Sequence, residues 1–161
     1  MRAGRAIVFG VLGAGAISVV SAALRAVGVN VHLELILGTV MGGAPSAATF
    51  ALGLTFHLLI GGLFGLAYGY LFERVWDHGG AGTGVILSVI HAALIGMIVG
   101  LTPQFHPLVP EVIADPGPYF ANSGVAGVLA FFGLHAVYGA IVGAGYGHVA
   151  AEREWAPAGR L

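Results

Sequence analysis

HLLIGGLFGLAYGYLFERVW, residues 57–76, decides the fold, because it returns as HAVYGAIVGAGYGHVAAEREW at residues 135–155. Each copy has a His, then Gly four and eight residues on, then Tyr-Gly at eleven and twelve, then Glu-Arg-x-Trp, with one residue inserted late in the second copy. This shared order of unlike residues marks an internal repeat. On a helix turning about 100° and rising about 1.5 Å per residue, position eleven falls about 20° from the His and about 16 Å along the axis. Tyr68 is thus expected beneath His57, and Tyr146 beneath His135.

Both copies lie in long apolar runs. The chain of 161 residues is 58% hydrophobic and only 8% charged, against roughly a quarter charged in an ordinary soluble domain. A bilayer core of about 30 Å takes about 20 apolar residues as helix, and four runs meet that length: residues 6–27, 49–72, 82–101 and 124–149. The prediction is an all-α integral membrane protein, one domain over residues 1–161. Its four transmembrane helices form two parallel-repeat helical hairpins, packed as a four-helix bundle. Spans two and four run the same way, so the repeats are expected about a pseudo-twofold axis along the membrane normal. The first run has the length of a full span behind the short basic MRAGR, so no cleavable leader is expected.

Arginine sets the orientation. Arg2, Arg5, Arg74, Arg153 and Arg160 fall on one side of four spans and Arg25 on the other, so the positive-inside rule predicts both termini cytoplasmic in a multi-pass inner (plasma) membrane protein. Trp76 and Trp155 then stand at the cytoplasmic headgroup level. All six basic residues are Arg, and Ala and Gly abound, a composition that points to a GC-rich bacterial genome. The absence of cysteine excludes disulfides and thiolate metal sites. A net charge of −1 gives no basis for nucleic acid binding. The expected partners are the lipid bilayer and, through helix packing, a second copy or other membrane subunits.

The connections differ in kind. Residues 30–43, NVHLELILGTVMGG, are too apolar for an ordinary loop and too short to span, so an interfacial or re-entrant helix is expected. Arg25 can snorkel to the interface and reach Glu34. The short polar DHGGAGTG joins spans two and three as an antiparallel hairpin. Span three is expected to end at Thr102-Pro103. The proline-rich stretch that follows is expected in extended and turn conformations, with Asn122 or Ser123 capping span four.

Two residue sets carry the candidate chemistry. Gly61, Gly65 and Gly69, with Gly139, Gly143 and Gly147, form rows of small residues through which helix backbones approach closely; alternatively they make room for a flat ligand. His57, His91 and His135 sit at similar depth in the outer to middle membrane, where an imidazole must face the bundle interior or a wet cavity. They are either core residues satisfied by hydroxyls and carbonyls, a haem or transition-metal site, or part of a proton or solute path with Tyr68 and Tyr146. Helical His57 and His135 beside glycines resemble the general plan of membrane b-type cytochromes. That resemblance implies bis-imidazole haem, and at most one, because Tyr70 stands where a partner to His148 would be needed. His32, Glu34 and His106 are further oxygen and nitrogen donors on the outer side, read either as a metal site or as a polar cap. No nucleophile triad, phosphate loop or paired carboxylates lie within the spans, so an enzyme is the weakest class. Three functions follow: a haem- or metal-binding protein, a small transporter or channel subunit, or an assembly protein acting through its glycine rows.

Overall fold

The computed structural model describes residues 1–147. His148, Glu152, Arg153, Trp155 and the close of the second repeat lie outside the described residues. Within them the chain is all-helical and has no strand. Six helices occur in order: α1 (Ala3–Ala26), α2 (Leu33–Thr39), α3 (Ala47–Arg74), α4 (Ala81–Val99), α5 (Thr102–Phe105) and α6 (Gly124–Tyr146), with a 3-10 segment, Pro118–Ser123, leading into α6. The helical segments Ala3–Ala26, Ala47–Arg74, Ala81–Val99 and Pro118–Tyr146 are long and apolar enough to cross a membrane.

Close backbone approach decides which helices pair. A β-carbon at Gly61 would meet Ala14 Cβ at 2.4 Å and Gly10 O at 2.9 Å, and one at Gly65 would meet Ala6 O at 2.3 Å. The row on α3 therefore closes on α1. On α6, a β-carbon at Gly139 would meet Gly84 O at 2.2 Å, and one at Gly143 would meet Gly80 O at 2.2 Å, so that row closes on α4. In both pairs one residue number rises as the other falls, which makes each pair antiparallel. α1 also lies along α6, antiparallel again, with Gly13 beneath the Tyr138 ring and Gly145 beneath that of Phe9. α3 and α6 hence run in one direction and α1 and α4 in the other. The glycines do not meet across a shared axis: α3 and α6 barely touch.

Several local expectations are corrected. Spans two and three do not form a packed hairpin, because α3 and α4 make almost no backbone approach; their connection joins two pairs rather than closing one. α4 ends at Val99, before Pro103, which instead occupies the first turn of α5, where its missing N–H costs nothing. Ser123 precedes α6 but does not cap it; its hydroxyl donates to Asn30 O at 2.8 Å. Gly147 is no packing residue. It terminates α6 at φ 81°, a left-handed conformation suited to glycine, and a β-carbon there would have only the Arg5 side chain within 4 Å.

The two ends of the bundle are tied differently. At one end the Tyr146 hydroxyl donates to Glu73 and accepts from the Arg2 backbone N–H at 3.1 Å, while Arg5 Nε donates to Gly145 O at 2.6 Å. Glu73 also faces the Met1 amino group at 2.9 Å. At the other end α2 lies against α3, with Gly38 on Thr49 O and Gly53 on Glu34 O. Buried Glu34 receives Arg25 Nη1 at 3.2 Å, the pairing the sequence suggested.

Candidate functional site

Between the helices and under α2 lies a cavity of about 310 Å³. His57, His91, His106 and His135 border it, with Phe64, Phe131 and Tyr138 among its otherwise mostly aliphatic wall. All three histidines singled out within the spans therefore reach one space, joined by His106 from the chain after α5.

Each spanning histidine is held by one nitrogen. His57 Nδ1 is 3.0 Å from the Ser18 hydroxyl of α1. His91 Nδ1 is 3.2 Å from the hydroxyl of Tyr68, and His135 Nδ1 is 2.8 Å from Phe131 O, one turn back in its own helix. Among the described residues no fully buried side-chain nitrogen or oxygen lacks a hydrogen-bond partner. The three Nε2 atoms, which make no hydrogen bond, therefore reach open space, and the space that all three rings border is this cavity. Chemistry fixes the protons on two of them. A carbonyl only accepts, so His135 carries its proton on Nδ1 and turns a lone pair outward from Nε2. Among the described residues the buried Tyr68 hydroxyl has no acceptor besides His91 Nδ1, so it donates there and leaves His91 with Nε2–H.

His106 differs. Its Nδ1 accepts from Leu108 N–H at 3.2 Å, so Nε2–H donates to Ile36 O at 3.0 Å. Both nitrogens are engaged, and the ring fastens the chain after α5 to α2. His32 stands at the mouth of α2 beside Arg25 and Glu34; burial, then the Arg25 charge, lowers its pKa below the usual histidine value. Among the described residues no three His, Asp or Glu side chains are grouped so as to hold a metal ion. Glu34, through Arg25, and His106, through Ile36 O, fasten α2 to its neighbours, with His32 beside them.

Aromatic rings fix the imidazole planes. Phe64 lies against His91 at 4.0 Å between centroids, Phe131 against His135 at 4.4 Å, and the two imidazoles meet edge to face at 5.2 Å and 83°. Tyr138 completes the floor: its ring occupies the space left by Gly13, and its hydroxyl donates to Gly61 O at 2.6 Å. Above, Phe120 is buried against Phe131 although its φ is 60°, a left-handed conformation unusual for a bulky residue and maintained here by packing. Tyr68 and Tyr146, expected on one polar path, are separated by the fully buried Phe72, whose ring touches both.

Sequence reading missed Ser18, Phe64, Phe131 and Tyr138. Tyr138 carried a usable signal, since it stands one turn after His135 where the first repeat has Ile60. Compared with family models, curated proteins and solved structures, the chain matches none.

Proposed function

We propose that this is an integral membrane protein of the bacterial inner membrane, with both termini cytoplasmic, that binds a small ligand in its histidine-lined cavity. Its two antiparallel helix pairs are the two halves of the sequence repeat, related by an axis along the membrane normal. The observation that carries the functional reading is the shared pattern of three imidazoles: every Nδ1 is tied to protein, every Nε2 lacks a hydrogen-bond partner, and all three residues border one space. His106 borders the same space with both nitrogens engaged, so it is the unpartnered Nε2 atoms of the other three that support a ligand site. Its volume of about 310 Å³ matches the lower end of small-molecule sites, about 300–1,000 Å³.

An organic ligand fits this geometry better than haem or a metal ion. Axial haem ligands oppose each other across a macrocycle with metal–nitrogen bonds of about 2 Å. The His91 and His135 rings lie edge to face at 5.2 Å, too close for a macrocycle between those two, and the pair that the sequence suggested, His57 and His135, is tested by the spectrum of the purified protein. A continuous proton path receives less support because Phe72 fills the space between the two tyrosines.

Purification in mild detergent followed by absorption spectroscopy, metal analysis and mass spectrometry of an organic extract tests the reading. An organic compound near one per protein, lost when Ile95→Trp fills the cavity, is the expected result. A Soret band or stoichiometric metal lost with His57→Ala and His135→Ala would place haem or metal there instead. Wild-type and Ile95→Trp protein giving identical extracts would remove the cavity as the site.

A further inference from the structure

The cavity has a side opening, and its polar groups specify a head group. Ile60 of α3, Ile98 of α4 and Phe105 of α5 line it and keep 38%, 53% and 57% of their surface accessible. Lining residues this accessible mark the open side of the cavity. Ile60 and Ile98 belong to α3 and α4, the two helices that scarcely approach each other. Toward the terminal end the gap is closed by the Tyr68–His91 hydrogen bond and the Phe64–His91 ring contact. In a bilayer this passage faces hydrocarbon rather than water, so a lipophile reaches the cavity sideways.

Resting on the reading that the cavity is a ligand site, we infer that it takes a lipid-soluble phenol or quinol, whose ring enters from the bilayer between α3 and α4 and whose hydroxyl bridges His91 and His135. His135 Nε2 offers a lone pair and requires a donor; His91 Nε2–H requires an acceptor. A hydroxyl is both at once, whereas a ketone or ether can only accept and leaves His135 unpaired. Phe64, Phe131, Phe120 and Tyr138 supply ring faces and edges for an aromatic head. The volume of about 310 Å³ is roughly twice the 150 Å³ that holds benzene in an engineered cavity. It admits one substituted ring and a short length of chain, with the remaining tail passing out between Ile60 and Ile98.

Three probes of nearly equal shape test this on the whole protein in nanodiscs, with binding measured above that of empty discs: 4-hexylphenol, 4-hexylanisole and hexylbenzene. The phenol is expected to bind roughly three- to tenfold more tightly than the anisole, the worth of one added hydrogen bond, and more tightly still than the hydrocarbon. His135→Phe should abolish the preference for phenol over anisole. Ile98→Trp, at an exposed position, should slow association of the phenol. Equal binding of all three probes to the wild-type protein overturns the hydroxyl bridge while leaving the cavity a ligand site; no binding of any probe overturns the cavity reading as well. Unchanged association in Ile98→Trp overturns the lateral route.

Discussion

Substituting alanine at Gly139 and at Gly133, two glycines on one helix, isolates the energy of the backbone contact between α4 and α6. At Gly139 the new methyl would stand 2.2 Å from Gly84 O and 2.6 Å from Ser88 Cβ; at Gly133 nothing lies within 4 Å. Carbon contacts are most favourable near 3.5–4.0 Å, so the helices must separate by about 1 Å at their crossing. Overpacking of this kind costs about 1–3 kcal/mol. Both substitutions gain helix propensity of about 1 kcal/mol, and that gain cancels in the comparison. Gly139→Ala should therefore be about 1–3 kcal/mol less stable than Gly133→Ala, and Gly133→Ala should be at least as stable as wild type. At this chain length each kcal/mol moves the melting midpoint by about 2–4 °C, resolvable by heating detergent-solubilised protein and following the monodisperse fraction by size exclusion. Coincident midpoints for the two variants would refute the packing argument.

Glu34→Ala leaves Arg25 facing a buried site without its carboxylate and should destabilise by about 3 kcal/mol; the double variant Arg25→Met with Glu34→Met should recover part of that loss in the same assay. Because the folded protein lowers the pKa of His32, chiefly through burial, the unfolded chain binds the proton more readily. Stability should thus fall as pH drops below the ordinary histidine value of about 6.5, and His32→Gln should flatten that part of a pH–melting profile. Reporter fusions after Gly79 and after Leu161 should read cytoplasmic and one after Pro116 external; the opposite pattern would reverse the arginine assignment.

The four long helices were legible because a spanning helix must be apolar for about 20 residues, a condition set by length and composition alone. Helix partners were not. α1, α3, α4 and α6 are hydrophobic on every side, so no amphipathic stripe tells a buried face from an outward one. The only readable signal is small size, and a row of glycines declares a close approach without naming the partner: Gly61 and Gly65 meet Gly10 and Ala6 rather than the second row. The histidines behaved likewise. Their types and depth marked them from the sequence, and the structure brings all three to one cavity. Their anchors, Ser18, Tyr68 and the Phe131 carbonyl, depend on helix rotation, which the eleven-residue spacing to Tyr68 constrained only within its own helix. Thus Tyr68 serves His91 of a neighbouring helix, not the His57 above it.

The uneven contacts around the bundle have a mechanical meaning. α1 binds both α3 and α6 along much of its length, whereas α3 and α4 are joined mainly through side chains at His91. A small rotation of one helix pair about the α1–α6 seam would widen the gap between α3 and α4 while breaking few packed backbone contacts. The α3–α4 gap beside the cavity is therefore the boundary of the bundle held by the fewest packed contacts, and lateral pressure there would act on the cavity first. A bilayer that presses harder on the protein's flank at that depth would narrow the space, and one with looser chains would enlarge it. In the bilayer proposed above, lipid composition would then act as a mechanical variable of the cavity, independent of any lipid recognised by name.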